Sequence, residues 1–212
     1  MVKPDDKEEI ILKAAMEVFV EKGQYGAKMQ EIADRAGINK ALLHYYYRSK
    51  EKLYVYIFKF IFKKIMSEVI ELFKSDLPFK EFLRTFISKY IDLLNKNYRF
   101  PLFIMGELSQ GGKIVTNAIK EAMPIEIGQH LPAIDIMENA MKKGEIVKMD
   151  PRQIILTVIG SSLFYFMAEP IIRVLLLNED TYDREKFIEE RKEIIFNIIY
   201  YGLSPRGDGN EV

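Results

Sequence analysis

The chain has 212 residues, 49% of them hydrophobic, and 31 Lys/Arg balance 31 Asp/Glu for a formal net charge of zero. That length allows one large domain or two small ones with real cores, and the balance rules out nucleic-acid binding through bulk positive charge. With no cysteine there are no disulfides, thiolate metal sites or cysteine nucleophiles.

The opening MVKPDDKEE is polar, as expected of a chain that starts without a secretory leader. Ile11, Ala14, Ala15 and Val18, with Phe19 beside them, repeat at i, i+3, i+4, i+7 and predict a first helix, capped by Asp6 and stopped by Gly23. Met29, Ile32, Ala33 and Ala36 repeat the pattern in a shorter helix. Gly37 then supplies the positive φ of a helix end, Ile38 an apolar plug and Asn39 an N-cap. At 100° per residue the next helix divides. Leu42, Leu43, Tyr46 and Tyr47 fall on one face, with Leu43 and Tyr47 deepest. Lys40, Ala41, His44, Tyr45 and Arg48 fall on the other, a set that suits phosphate oxygens and base edges. Ser49 caps a following helix with Glu51 in its first turn. Residues 28–52 hold six basic residues against three acidic ones, so positive charge is a local patch. By spacing alone this is a helix-turn-helix or three short surface helices with scattered charge.

The stretch ILKAAMEVFVEKGQYGAKMQEIADRAGINKALLHYYYRSKEKL, Ile11 to Leu53, closely resembles the TetR-type transcriptional regulators. Their pattern runs A-A-x-x-x-F, K-G-Y-x-x-T, I-A-x-x-A-G-V-S, then K-G-T-L-Y-H-Y-F-x-S-K-E. Here Ala14, Ala15, Phe19, Lys22, Gly23, Ile32, Ala33, Ala36, Gly37, Lys40, Leu43, Tyr46, Ser49, Lys50 and Glu51 fit. Lys28, Ala41, Leu42 and His44 depart from it, and Leu42 cannot hydrogen-bond DNA. The resemblance implies DNA contacts from Lys28 and Gln30, from Lys40, Ala41, His44, Tyr45 and Tyr46 on the recognition helix, and from Lys50 after it.

The remainder shows helical periodicity only, so the expected fold is all-α. A three-helix DNA-binding head over residues 1–50 precedes a helical bundle over 51–212, about nine helices in total. A long helix over 51–74 turns Leu53, Ile57, Phe60, Ile61, Ile65, Val69 and Phe73 inward, and one over 79–97 turns Phe82, Phe86, Tyr90 and Leu93. The segment 113–143 is kinked or split at Pro124 and Pro132. Asp150-Pro151 starts a helix to about Leu177, and a last one runs from about Asp183 to Leu203. The uncharged run Gln153–Ala168 is 16 residues, short of the roughly 20 of a membrane span, so no membrane is expected and the location is cytoplasmic.

The resemblance further implies a homodimer through the last two long helices, with Gly160, Ser161 and Ser162 allowing close approach. It also implies a small-molecule effector, apolar or aromatic. Candidate ligand residues are Phe82, Phe86, Phe103, Met105, Met123, Ile127, Met137, Phe164 and Tyr165, residue types that equally build an ordinary core. Glu107, Glu126, Glu169 and His130 lie in apolar surroundings, able to orient a ligand or simply capped or solvated. The implied activity is repression at a palindromic operator, relieved by the effector, with activation through the same contacts as the variant. The alternative class is a helical interaction or architectural protein. Catalysis has no support: there is no phosphate loop, no G-x-S-x-G elbow and no clustered histidine, and no metal or other cofactor is expected.

Overall fold

The computed structural model describes residues 4–122, 131–177 and 182–205. Among them the chain is all helix, without strands: α1 (Pro4–Gly26), α2 (Met29–Arg35), α3 (Lys40–Tyr47), α4 (Lys50–Phe73), α5 (Phe79–Lys96), α6 (Phe100–Leu108), α7 (Lys113–Ala122), α8 (Pro132–Lys142), α9 (Pro151–Leu176) and α10 (Arg184–Leu203). Two compact units result, residues 1–67 with 97–124 and residues 68–96 with 125–212. The division falls inside α4. The predicted break between 113 and 143 is real, with Pro132 opening α8; Pro124, Glu126 and His130 lie outside the described residues.

In the first unit α1 begins at Pro4, two residues ahead of the predicted cap position Asp6. Gly23, at φ 68° and ψ 173°, interrupts the helix where the sequence predicts a stop. The core joins Ile11, Ala15, Val18 and Phe19 of α1 to Ile32 and Ala33 of α2, Leu43 and Tyr47 of α3, and Leu53, Ile57 and Phe58 of α4. Sequence periodicity does not foresee that α6 and α7 add Phe100, Phe103, Val115 and Ala118 to this same core. Phe103 stacks on Phe58 with ring centroids 4.3 Å apart, and Tyr54 sets its edge against both Phe103 and Phe19 at 4.9 Å. The buried Glu107 carboxylate accepts from the Tyr54 hydroxyl (3.3 Å) and from the Ile114 N–H (3.0 Å) in the first turn of α7. It thus satisfies an N–H that helix geometry leaves without a partner. Burial, with the adjacent Glu107, pushes the Tyr54 hydroxyl's pKa up.

The second unit packs α5, α8, α9 and α10. The buried stripe of α5 is Phe79, Leu83, Ile87, Ile91 and Leu94, rotated from the expected Phe82, Phe86, Tyr90 and Leu93. Both stripes keep a period near 3.6, and the more aliphatic one faces the shared core. Phe82 is buried beside it, while Phe86 and Tyr90 flank it half-buried. Phe73, Phe82, Phe86 and Tyr90 form a stacked ladder with centroids 6.0, 6.3 and 6.0 Å apart. Burial raises the Tyr90 hydroxyl to about 12. Ile154, Val158, Ser162, Tyr165 and Phe166 of α9 and Ile188, Ile195, Phe196, Ile199 and Leu203 of α10 complete the buried surface, with Met137 and Ala140 from α8. Asp150 caps α9 by accepting from the Arg152 N–H at 2.9 Å.

Ile87→Ala should cost about 2–5 kcal/mol through lost burial and a cavity, measured as a drop in denaturation midpoint at unchanged slope. The Arg152 side chain and then its backbone N–H hold the Asp150 carboxyl below its ordinary range. A depressed carboxyl contributes stability above its unfolded-state pKa and loses it as pH falls through the folded value. Thermal melts of the wild type and Asp150→Asn should therefore differ at neutral pH and converge on acidification below about pH 4.

Candidate nucleic-acid interface

The turn between α2 and α3 is built from backbone geometry. Gly37 sits at φ 68°, the Ile38 N–H donates to the Ala33 carbonyl (3.0 Å) and the Gly37 N–H to that of Asp34 (3.2 Å). These two bonds satisfy the last carbonyls of α2 and fix where the chain re-enters a helix. Asn39 caps α3 by accepting from the Leu42 N–H at 2.7 Å. Leu43 and Tyr47 are buried, so α3 can rotate neither way. Lys40, Ala41 and Tyr45 are exposed as a consequence, and His44 is half-exposed between them. The predicted inner face is only half right: Leu42 is half-buried and Tyr46 is 56% exposed. An eight-residue helix has room for two deep positions, and Tyr46 lies a full 100° from Tyr47 toward solvent.

The end of α3 carries backbone strain that sequence periodicity does not signal. Arg48 adopts φ 62° and ψ −46°, and the Ser49 N–H donates across it to the Tyr47 carbonyl at 2.6 Å. This is a γ-turn of the rare positive-φ kind. It is held from both sides: the Arg48 N–H donates to the His44 carbonyl (2.9 Å), and the His44 ring donates from Nδ1 to the Arg48 carbonyl (3.1 Å). Because a carbonyl only accepts, Nδ1 bears the proton, and in the neutral ring Nε2 is left as an acceptor. The Arg48 guanidinium lies over the Tyr45 ring, 5.8 Å from its centroid. Ser49 accepts from the Lys52 N–H (3.2 Å) and starts α4. The Glu51 carboxyl is held low by its own backbone N–H and by Ser49.

The six cations of this region are not equivalent. Arg35 reaches across the surface to α1, forking onto Glu21 at 2.8 and 2.9 Å with Glu17 and Glu31 close by. Lys50 donates to the Tyr25 carbonyl at 2.9 Å and so ties the start of α4 to the end of α1. Lys28, Lys40, Arg48 and Lys52 are exposed, while exposed Gln30 donates to Asp34 at 2.7 Å. Every predicted DNA-facing side chain therefore belongs to the first unit, and Lys28, Gln30, Lys40, Ala41, Tyr45 and Tyr46 are the exposed ones.

The predicted ligand residues are scattered more widely. Phe82, Met137 and Tyr165 are buried and Phe86 half-buried in the second unit, whereas Phe103 is core of the first. Met105 is 42% exposed and Phe164 61% exposed, so neither faces a protein interior. Met123 and Ile127 lie outside the described residues. Of the acids, Glu107 is committed to Tyr54 and α7, and Glu169 to Arg184.

Replacing Arg48 by Gly removes the steric penalty of positive φ. Arg48→Gly should raise the melting temperature by an amount equivalent to about 1 kcal/mol, and a lowered melting temperature would show the γ-turn to be unstrained.

Residues 11–57 match the family described as bacterial regulatory proteins, tetR family. The HTH-type transcriptional regulator RutR of Escherichia coli (strain K12) is 24% identical over 208 residues, covering 94% of this chain and 92% of that protein. The fatty acid metabolism regulator protein of Bacillus subtilis (strain 168) is 24% identical over 175 residues, covering 82% and 85%. The fold is also that of the crystal structure of FadR from Bacillus subtilis in complex with stearoyl-CoA, with a TM-score of 0.64 at 21% identity over 92% of this chain and 99% of that one. Each of these relatives is named as a regulator. Together with a helix-turn-helix whose second helix turns its basic, aromatic face outward, they make the head of this chain similar to that of the bacterial regulatory proteins of the tetR family over residues 11–57.

Proposed function

We propose that the chain is a ligand-responsive repressor that binds a palindromic operator as a homodimer. The observation that carries this reading is the outward presentation of Lys40, Ala41, His44 and Tyr45 from a helix pinned by Leu43 and Tyr47. In this reading residues 1–50 dock in the major groove. Ala41 permits close approach, Lys40, His44 and Tyr45 meet base edges and phosphates, Lys28, Gln30 and Tyr46 flank them, and Lys50 contacts a phosphate after releasing the Tyr25 carbonyl.

Residues 51–212 supply dimerisation and effector binding. The supporting observation is an unpartnered apolar face on α9 and α10. Leu156, Phe164, Ile171, Val174 and Leu175 are 61–74% exposed, and Ile194, Ile198 and Tyr201 are 52–70% exposed. So large an apolar patch marks an interaction surface. Gly160 lies on the α9 part of it, where an added Cβ would meet nothing within 4 Å, leaving room for a close helix. Ser162, by contrast, points into the core. α9 is also the one helix among the described residues long and apolar enough to cross a membrane. Its opposite face is part of the second unit's core, so we assign the outer face to a second copy of the chain and the protein to the cytoplasm.

The effector is proposed to carry an apolar body received by Phe82, Phe86, Met137 and Tyr165. It acts by binding one arrangement of the bundle better than another and so changing the spacing of the two heads. Without that differential affinity it would shift nothing.

Gel-shift titration against a palindrome from the gene's own upstream region should give site-specific, salt-sensitive binding. Lys40→Ala should weaken it about tenfold or more; equal affinity would remove Lys40 from the contact set. Light scattering should show a dimer that Phe164→Glu converts to monomer, and a persistent dimer would place the interface elsewhere.

A further inference from the structure

Two arginines on α10 face α9 from the same side, two turns apart, and only one is satisfied. Arg184 donates from Nε and Nη2 to the two oxygens of Glu169 (2.8 and 3.3 Å) and from Nη1 to Asn95 Oδ1 (2.6 Å). Arg191 is half-buried; its Nη2 donates to the Ser161 carbonyl at 2.6 Å, but its buried Nε has no partner among the described residues. Desolvation lowers the pKa of this guanidinium, an effect opposed by nearby Tyr165. Beside Ser161, the Ser162 hydroxyl is fully buried and also without a partner. A helical hydroxyl commonly satisfies itself on the carbonyl four residues earlier, as Thr157 does on Gln153 at 2.8 Å. Ser162 does not.

Among the described residues the neighbouring acids are engaged. α9 carries one acidic residue, Glu169, which holds Arg184. On α5 and α10, Asp92 and Glu189 hold Lys192, and Glu193 holds Arg84. Arg191, whose Nη2 reaches the Ser161 carbonyl, and the buried Ser162 hydroxyl next to Ser161 thus meet at one level of the α9–α10 contact, where Val158, Tyr165 and Ile195 belong to one core cluster and Phe187 packs against it. Leaving such groups unmet is costly.

We propose that Arg191 and Ser162 form the subsite for a carboxylate on an otherwise apolar effector. The inference rests on the ligand-responsive reading above and names the headgroup chemistry. One guanidinium matches the two oxygens of a monoanion, and Ser162 adds a third donor. A dianionic phosphate would call for further cations, and Arg184 is already neutralised by Glu169.

The test is calorimetric titration of the full chain with decanoate and with decanol, its uncharged counterpart, on wild type, Arg191→Met and Ser162→Ala. Decanoate should bind wild type and raise its melting temperature, with decanol about tenfold weaker or more. Arg191→Met should lose about tenfold in decanoate affinity with decanol unchanged, and Ser162→Ala a smaller factor. Ligand-free Arg191→Met should melt at or above the wild-type temperature, because it removes a half-buried charge whose Nε is unmet. Equal binding of decanoate and decanol, no decanoate binding to wild type, or unchanged affinity in Arg191→Met would each overturn the proposal. So would dissociation of the dimer by Arg191→Met at unchanged decanoate affinity, since the partner subunit would then hold the guanidinium. Operator binding without decanoate is measured separately: its absence removes the regulator reading while leaving the carboxylate subsite standing.

Discussion

The placement of Leu43 and Tyr47 in the first unit's core is the constraint from which the rest of the head follows. Each buried side chain of this size contributes about 1.5–3 kcal/mol, and together they fix the rotation of an eight-residue helix that is too short to hold itself. Three local devices then define its ends. The Gly37 turn closes α2, the Asn39 side chain opens α3, and the Arg48 γ-turn stops α3, leaving only Arg48 and Ser49 before α4 begins. The outward face is what remains once those demands are met, and it carries the groups that suit DNA.

The same core extends beyond the helix-turn-helix. Phe103 packed on Phe58, and Glu107 joining Tyr54 to the first turn of α7, make α6 and α7 part of the unit that holds α3. Arg99 adds a polar version of this link, lying 3.7 Å from the Glu21 that receives Arg35 of α2. Any rearrangement of α6 thus acts on packing within the unit that presents the recognition helix.

The head was legible in the sequence because its signals are local. The i, i+3, i+4, i+7 stripe of Met29, Ile32, Ala33 and Ala36, the Gly37 turn and the Asn39 cap act within a few residues, and all three appear where they are read. What failed to show depends on distant partners. α5 offers two stripes of equal period, and only the presence of α9 and α10 selects Ile87 and Ile91 over Phe86 and Tyr90. Phe103 resembles a ligand residue until α4 places Phe58 beneath it. Glu107 looks like a spare carboxylate until α7 brings the Ile114 N–H to it. The outward Tyr46 had a signal, since a helix with Leu43 and Tyr47 deepest leaves the residue beside Tyr47 near the rim.

The second unit combines two features left unmet among the described residues, an apolar outer face on α9 and α10 and the buried Nε of Arg191 where those helices meet. A second copy and a carboxylate effector would satisfy one each. The cysteine-free sequence gives direct access to the central claim that α3 lies in the major groove of a two-fold site. A DNA-cleaving iron chelate attached through Ala41→Cys should cut operator DNA in two clusters related by two-fold symmetry, about 34–36 Å apart or a multiple of that. Full-affinity complexes without cleavage near the labelled helix would contradict the account.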